Sequence, residues 1–295
     1  MTDYEIKHYQ DGFEVEQAQV GTEVAKTFLV PHQTPAERLK EVYTREGFDP
    51  ETRLYAFKDG KMIGFLTSAV LPDDDSGIKK ANLTPPSVLS EHKEVEKLLY
   101  EKAIKILKKK GVQFVRSGFG ITANVDEKDA KKLGYKKVQE NYFAYNINLD
   151  KIDASIKHDE FIEFDSNKHL ERCAAIISEE YARDLEWANN YYERIRTQDN
   201  FVRIHKLIEK DGEIKAYINF IENLIDPSIT VLQVIYAVNE DYMKKLLSFL
   251  AEAAKKKNYK RFQCAFTEVE DIKLSKYKPI KFDFIGSTAL FEKEI

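Results

Sequence analysis

A hairpin pattern occurs once in each half of the chain. In the first half, the segment RLYAFKDGKMIGFLTSAVL has apolar runs on both sides of Asp59 and Gly60. In the second half, RIHKLIEKDGEIKAYINFI repeats the pattern around Asp211 and Gly212. An Asp-Gly pair between two apolar runs is the strongest short-range signal for a β-hairpin. The sequence therefore predicts one hairpin in each half.

The surroundings of the two hairpins also match. A helix-like segment with a paired leucine follows each of them, Leu98-Leu99 in the first half and Leu246-Leu247 in the second. Both of these helices carry an apolar stripe and end in lysines, which suit the negative end of a helix dipole. Two more helix-like segments precede each hairpin, at 14–27 and 35–45 and again at 168–181 and 186–196. This agreement indicates an internal duplication.

Each half has the predicted order strand, two helices, three strands, long helix, strand, short helix, strand. Such mixing of helices and strands is typical of the α/β class with a mixed sheet. The polar segment NLDKIDASIKHDE lies between the two copies. We therefore expect two domains, residues 1–150 and 151–295, with the boundary near Asp150.

Composition excludes several classes of function. The 295 residues include 46 basic and 50 acidic ones, and the net charge of -4 predicts neither a nucleic-acid partner nor an anionic membrane. The segment MTDYEIKHYQ has no apolar signal core and no apolar run is long enough to span a membrane, so a cytoplasmic protein is expected. Cys173 and Cys264 lie far apart without metal-ligand spacing, which predicts buried structural thiols and no metal.

The element order and the segment SVLSEHKEVEKLLYEKAIKILKKKGVQFV, with the later LGY at 133–135, resemble the GNAT superfamily of N-acetyltransferases. The resemblance covers the whole chain and implies two tandem GNAT-like domains. It also implies that acetyl-CoA is the cosubstrate, bound between splayed fourth and fifth strands. The acetyl group would pass directly to an amine acceptor.

The resemblance places the cofactor loop on SEHKEV, residues 90–95, where the family has R/Q-x-x-G-x-G/A. No glycine is present in this loop, but unpaired backbone N–H groups and the helix dipole attract a pyrophosphate with any side chain. An alternative that is compatible with binding is that Ser90 caps the helix. The residues expected to contact the cofactor are Val88, Leu89, Ser90, His92, Lys93, Glu94, Val95 and Asn124. Asn124 has the alternative role of a helix N-cap.

The corresponding loop of the second half is less suited to a phosphate. It reads NEDYMKK, is shorter, and begins with Asn239, Glu240 and Asp241. Carboxylates without glycine repel a pyrophosphate. We therefore expect the first domain to bind acetyl-CoA and the second to be a degenerate copy.

Proton transfer is harder to place. The resemblance puts the usual base glutamate of the family at Pro86 and the usual acid tyrosine at Ala130. Neither residue exchanges a proton. In the strand NYFAYNINL, Tyr142 and Tyr145 point to opposite faces, and we select Tyr142 as the candidate catalytic acid. The alternative for either tyrosine is packing.

The predicted function is thus acetyl-CoA-dependent N-acetylation of an amine that approaches near the segment FLVPHQTPAE, residues 28–37. The alternative is a noncatalytic acyl-CoA-binding or protein-interaction module that kept the fold. The expected assembly is either a monomer with pseudo-dimeric halves or a homodimer.

Overall fold

The computed structural model describes residues 4–72, 77–120, 127–148, 152, 155–157, 160–180, 184–196, 202–266 and 282–295. The chain divides into two compact units. Unit 1 consists of Met1–Asn141 together with Ser287–Ile295, and unit 2 consists of Tyr142–Gly286. Mixed sheets and helices form both units, so the predicted α/β class is confirmed.

Unit 1 contains most of the elements that surround the candidate site. In chain order they are β1 (Glu5–His8), α1 (Phe13–Ala25), α2 (Ala36–Tyr43), β2 (Arg53–Lys58), β3 (Lys61–Val70), β4 (Lys80–Leu83), β5 (Ser87–Val88), α3 (Val95–Lys109), β6 (Phe114–Gly120), α4 (Glu127–Lys132), the start of β7 (Lys136–Ile147) and the end of β13 (Phe282–Glu294). The strand order is β1-β2-β3-β4-β6-β13, and β5 pairs with β3.

Unit 2 repeats much of this order. Its elements are the end of β7, then β8 (Ile162–Glu163), α5 (Ser166–Glu180), α6 (Leu185–Arg196), β9 (Val202–Lys210), β10 (Glu213–Glu222), β11 (Ile229–Ala237), α7 (Glu240–Lys257), β12 (Arg261–Phe266) and the start of β13. The strand order is β7-β12-β11-β10-β9-β8. The short helix expected after β12 falls outside the described residues.

Both predicted hairpins are present. The backbone φ angles are 50° and 76° at Asp59 and Gly60, and 54° and 77° at Asp211 and Gly212. Positive φ at both central residues is the mark of a type I′ turn, whose twist matches that of the flanking strands. The prediction of one hairpin in each half is confirmed.

The sheet of unit 1 is buried on both faces. Leu54 of β2 packs in one core cluster with Leu99 of α3, whereas the neighbouring Tyr55 packs in another with Val20 of α1. Alternate residues of a strand point to opposite faces, so β2 is apolar along its whole central part. This double burial holds α1 and α3 on opposite sides of the sheet.

Strand pairing determines which segments belong to each unit. The end of β13 pairs with β6 from Thr288↔Gly120 to Glu294↔Phe114. The end of β7 pairs with β12 of unit 2. Residues 287–295 therefore belong to unit 1, which the expected division into 1–150 and 151–295 does not include. Asp150 lies outside the described residues, and a domain boundary there stays a prediction.

Both cysteines are buried, and neither forms a disulfide. Cys173 of α5 and Cys264 of β12 each lie in a hydrophobic core cluster, so the expectation of buried structural thiols is confirmed. Within the described ranges, no helix is long and apolar enough to cross a membrane. Over the same ranges, no group of three or more His, Cys, Asp or Glu side chains is arranged to hold a metal ion.

Candidate functional site

The parallel ladder between β4 and β6 is short and then opens. Its last pair is Asn82↔Arg116. Beyond this pair the chain on the β4 side reaches Pro85 and Pro86, which have no N–H group and cannot continue a ladder. Strand β5 then pairs with β3 instead. The two segments therefore part beyond Arg116 and leave a gap in the sheet of unit 1.

A cavity of about 1070 Å³ lies at this gap. The end of α1, the segment between β4 and α3, the first turns of α3, and the region from β6 to β7 line it. The lining residues include Glu23, Thr27, Phe28, Pro86, Val88, Leu89, Ser90, Glu91, Lys93, Glu96, Lys97, Tyr100, Ser117, Asp129, Lys132 and Tyr135.

The segment between β5 and α3 makes a 3₁₀ turn, Ser90–His92, before the α-helix begins at Val95. No side chain caps either helical segment. The Ser90 hydroxyl donates to the Glu91 carboxylate at 3.1 Å, so the alternative that Ser90 caps the helix is wrong. Backbone N–H groups at a helix start carry partial positive charge. This turn can therefore attract an anion at the edge of the cavity.

The predicted cofactor residues divide into two sets. His92, Glu94 and Val95 do not line the cavity. His92 Nδ1 is 3.3 Å from the Tyr4 hydroxyl oxygen, Glu94 accepts a hydrogen bond from the same hydroxyl, and Val95 is fully buried in the core. The residues that do line the cavity are Val88, Leu89, Ser90 and Lys93. The contacts of Tyr4 explain the division, because they turn His92 and Glu94 away from the cavity.

Two further predicted residues cannot be placed. Asn124 lies outside the described residues, and the side chain of Tyr142 lies outside the described side chains. Their proposed roles as a cofactor contact and as the catalytic acid stay predictions.

The cavity carries side chains of both charges. Its carboxylates are Glu23, Glu91, Glu96 and Asp129, and its cations are Lys93, Lys97 and Lys132. Burial raises the pKa of Glu96, and the charge of Lys93 opposes this shift. Hydrogen bonds from its own backbone N–H and from Ser90 hold the pKa of Glu91 below its usual value. An anion that enters the cavity is therefore attracted by the lysines and repelled by the carboxylates.

A chain of hydroxyl groups lies at the other end of the cavity. The Ser117 hydroxyl donates to the Leu83 carbonyl oxygen at 2.5 Å and lies 3.2 Å from the Tyr135 hydroxyl oxygen. The hydroxyl oxygens of Tyr135 and Tyr100 are 3.2 Å apart. Lys293 Nζ donates to Tyr100 at 3.3 Å. Ser117, Tyr135 and Tyr100 are all lining residues of the cavity, and Lys293 of β13 contacts Tyr100.

The ammonium group of Lys293 also lies over the rings of both tyrosines. Its Nζ atom is 5.3 Å from the ring centre of Tyr100 and 5.7 Å from that of Tyr135. Burial, and then the charge of Lys108, lower the pKa of Lys293. Burial raises the pKa of Tyr100 and of Tyr135. The tyrosines therefore stay protonated, and the lysine gives up its proton more easily than an exposed lysine does.

No family model and no curated protein matches this sequence. Solved structures do match the fold. A tandem GNAT protein from the clavulanic acid biosynthesis pathway superposes with a TM-score of 0.60 over 99% of this chain and 98% of its own, at 13% identity. The chain has a tandem GNAT fold. A GNAT-family acetyltransferase from Colwellia psychrerythraea matches equally well, with a TM-score of 0.60, 13% identity, and 98% and 99% of the two chains covered.

A larger acyltransferase is also among the structural neighbours. An N-myristoyltransferase from Saccharomyces cerevisiae, solved with myristoyl-CoA and inhibitors bound, has a TM-score of 0.52 at 12% identity. The match covers 99% of this chain and 81% of the N-myristoyltransferase. At these identities the neighbours establish the fold of this chain and leave its reaction to be argued from its own residues.

The two positions that the GNAT resemblance gives to a base and an acid are both occupied by inert side chains. Pro86 lines the cavity, and Ala130 is buried in the core. The groups that can exchange protons at the cavity are instead Ser117, Tyr100 and Tyr135. The sequence analysis missed all three. A signal was present for Tyr135, which follows Gly134 in the quoted LGY, but nothing marked Ser117 or Tyr100 as polar partners.

The corresponding region of the second GNAT unit differs in one decisive way. The side chain of Asn239 accepts a hydrogen bond from the backbone N–H of Tyr242 at 3.1 Å and so caps α7. The strand before it, β11, has no proline and runs unbroken from Ile229 to Ala237. The start of α7 thus has a side-chain cap, whereas no such cap is present at Ser90–His92 or at the start of α3. That the second copy is degenerate stays a prediction.

Proposed function

We propose that unit 1 binds acetyl-CoA and transfers its acetyl group to an amine. One observation carries the proposal: the cavity lies where the β4·β6 ladder opens, next to an uncapped helix start. An extended pantetheine arm needs an open strand edge for its amide groups, and a pyrophosphate is attracted by the positive end of a helix dipole. An open strand edge and a helix start without a side-chain cap both lie at this cavity.

The phosphates would lie at the Ser90–His92 turn. Lys93 lines the cavity there and is exposed, so its ammonium group can pair with a phosphate. The helix dipole adds about 0.3–1 kcal/mol for an anion at such a position. These contributions offset the repulsion from Glu91 and Glu96, because the adenine and pantetheine parts of the cofactor add contacts of their own.

The acceptor amine would approach from the end of α1. Thr27 and Phe28, at the start of the segment FLVPHQTPAE, line the cavity beside Glu23. The Glu23 carboxylate, which pairs with Lys26 at 2.6 Å, favours a cationic amine over an anionic acceptor at this entrance. The amine must lose its proton before it attacks the thioester carbonyl.

A second candidate function is supported by Pro86 and Ala130. With no base or acid at the positions that the family uses, unit 1 would be a noncatalytic acyl-CoA-binding module. Only turnover distinguishes this module from an enzyme, because both bind the same ligand at the same cavity.

Calorimetry and thermal unfolding with acetyl-CoA test the shared part of both candidates. We expect saturable heat and a melting temperature that rises with ligand concentration. Release of free CoA with a panel of amines, followed with a thiol reagent, then separates them. Both cysteines of the protein are buried, so the native protein contributes little background to this assay. No heat and no thermal shift at millimolar ligand would contradict both candidates.

A further inference from the structure

The hydroxyl chain of unit 1 has a single direction of donation. Each hydroxyl has one hydrogen to donate, and an ammonium group only donates. The Ser117 hydrogen goes to the Leu83 carbonyl oxygen at 2.5 Å, so Tyr135 must donate to Ser117. Tyr100 then donates to Tyr135, and Lys293 donates to Tyr100. The order of donation therefore runs from Lys293 through both tyrosines to Ser117.

The hydrogen-bonded hydroxyls also connect the open end of the β4·β6 ladder with a lysine outside the cavity lining. Ser117 follows Arg116, the last residue of β6 that pairs with β4, and so lies where the ladder opens. Lys293 does not line the cavity, and it joins the hydroxyl series through its hydrogen bond to Tyr100. A cofactor with its phosphates at the Ser90–His92 turn would extend its thioester toward Ser117. The sulfur atom and the ammonium group would then lie at opposite ends of one hydrogen-bonded path.

We propose that Lys293, Tyr100, Tyr135 and Ser117 form a proton relay that protonates the CoA thiolate as it leaves. The inference rests on the proposed function. When the neutral amine attacks, a nitrogen–carbon bond forms and the nitrogen loses one proton to water. The carbon–sulfur bond breaks, and its electron pair stays on sulfur. The Ser117 hydroxyl turns from the Leu83 carbonyl oxygen to the sulfur and gives up its proton, and each hydroxyl is then reprotonated by the next donor along the path. The net change is that thiolate and ammonium become thiol and neutral amine, and Lys293 later regains a proton from water.

The lysine is the source of the proton for an electrostatic reason. Burial disfavours a tyrosinate at Tyr100 or Tyr135, so neither tyrosine is a good acid alone. Lys293 faces Tyr100 and Lys108 of α3 and Tyr135, which precedes β7, and burial and Lys108 both favour the neutral form of Lys293. A concerted shift of protons along the chain forms no tyrosinate. Ser117 and Tyr135 would touch the sulfur, whereas Lys293 acts through them.

The first test needs only CoA binding. The ultraviolet absorbance of the bound thiolate is titrated in the wild type and in Ser117→Ala, Tyr135→Phe and Lys293→Met, with S-methyl-CoA as the blank. Hydrogen bonds to the thiolate lower the thiol pKa, so we expect the bound thiol of each variant to titrate about one unit higher. Lys105→Met, which changes an exposed lysine of α3, is the matched control and should titrate like the wild type.

The second test uses Lys293→Arg. Arginine keeps the positive charge but does not release a proton, so it should leave the bound-thiol pKa near the wild-type value. In acyl transfer, however, we expect kcat to fall about ten- to a hundredfold in Lys293→Arg and Lys293→Met, with KM for acetyl-CoA unchanged. An acetyl thioester of an acidic aryl thiol needs no proton on leaving and should restore both variants.

The outcomes separate the relay from the proposed function. If CoA does not bind, both are overturned. If CoA binds but Ser117→Ala and Tyr135→Phe leave the thiol pKa unchanged, the relay is wrong and the cavity remains an acyl-CoA site. If no amine releases CoA from the wild type, or if Lys293→Arg turns over at the wild-type rate, Lys293 is not the proton source.

Discussion

Arg116 and Glu292 form an ion pair, with 2.8 Å between Nε and Oε2, although they are 176 positions apart in the chain. Arg116 is the residue of β6 at which the ladder to β4 ends, and Glu292 is its partner in β13. The side chains are 32% and 19% exposed, so solvent screens the pair less than a fully exposed one. The pair thus links β13 to β6, the strand that contributes Ser117 and Phe119 to the cavity.

Removing this pair should destabilise unit 1. We expect Arg116→Met to lower the free energy of unfolding by about 1 kcal/mol, because it leaves a partly buried carboxylate without its partner. Hydrogen exchange of the β6 amides measures the effect locally. The exchanged pair Arg116→Glu with Glu292→Arg should recover most of the loss. If Arg116→Met and the charge-swapped double variant lose the same free energy of unfolding, the ion pair is not the cause.

Charge reversal at the turn should distinguish the two copies. Lys93 lines the cavity, whereas Lys244 of α7 is paired with Glu240 at 3.0 Å. We expect Lys93→Glu to weaken CoA binding about tenfold, because a carboxylate would then lie beside the phosphates. Lys244→Glu should change the affinity little. Calorimetry of both folded variants decides, and the reverse ranking would place the cofactor in unit 2.

Binding of CoA should depend on the protonation of Glu96. Burial raises its pKa, so this carboxylate becomes neutral at a higher pH than an exposed glutamate does. Below that pKa its repulsion of the phosphates disappears. We therefore expect CoA affinity to rise by about threefold from neutral to mildly acidic pH, relative to Glu96→Gln, which is neutral at every pH. Parallel pH profiles of the two proteins would show that Glu96 does not face the phosphates.

His205 of unit 2 is held in its neutral form. Its ring stacks on Phe164 with 3.8 Å between ring centres, and its Nε2 atom is 2.6 Å from the hydroxyl oxygen of the buried Tyr217. Burial, and then the charge of His169, lower its pKa from 6.5 to about 3. The unfolded chain therefore binds a proton between these two values that the folded unit does not bind.

Stability should fall accordingly in mildly acidic solution. A histidine with a lowered folded-state pKa contributes its stability above the unfolded value and loses it as the pH falls from 6.5 toward 3. The expected loss is about 1.4 kcal/mol per pH unit in this window. Fluorescence of Trp187, the single tryptophan of the chain, reports unfolding of unit 2. His205→Gln should flatten the pH dependence, and an unchanged slope in that variant would contradict the assignment.

Local patterns in the sequence were sufficient to predict much of the fold. The turns at Asp59 and Asp211 were readable because both central positions of a type I′ turn favour the residues found there. The long helices were readable because their apolar residues recur at helical spacing. The proline pair at 85–86 lies where a strand leaves its ladder, because proline has no N–H group to continue one.

The polar end of the cavity was not predictable for the opposite reason. Tyr100 contacts Lys293 across 193 positions, and no local pattern records a contact of that range. Tyr135 and Ser117 are both buried, and the sequence alone does not show that their hydroxyl groups form a hydrogen bond. His92 and Glu94 contact Tyr4, which is distant in sequence, and do not line the cavity, so their contact with a cofactor stays a prediction.

The position of β13 has a consequence for synthesis of the protein. A ribosome makes residues 287–295 only after the whole of unit 2, yet these residues pair with β6 in unit 1. During translation the outer edge of β6 therefore waits unpaired while a second, similar sheet is being made. An exposed edge of this kind can pair with the wrong strand. The duplication that gives the chain two related sheets also supplies the nascent chain with competing strands for that edge.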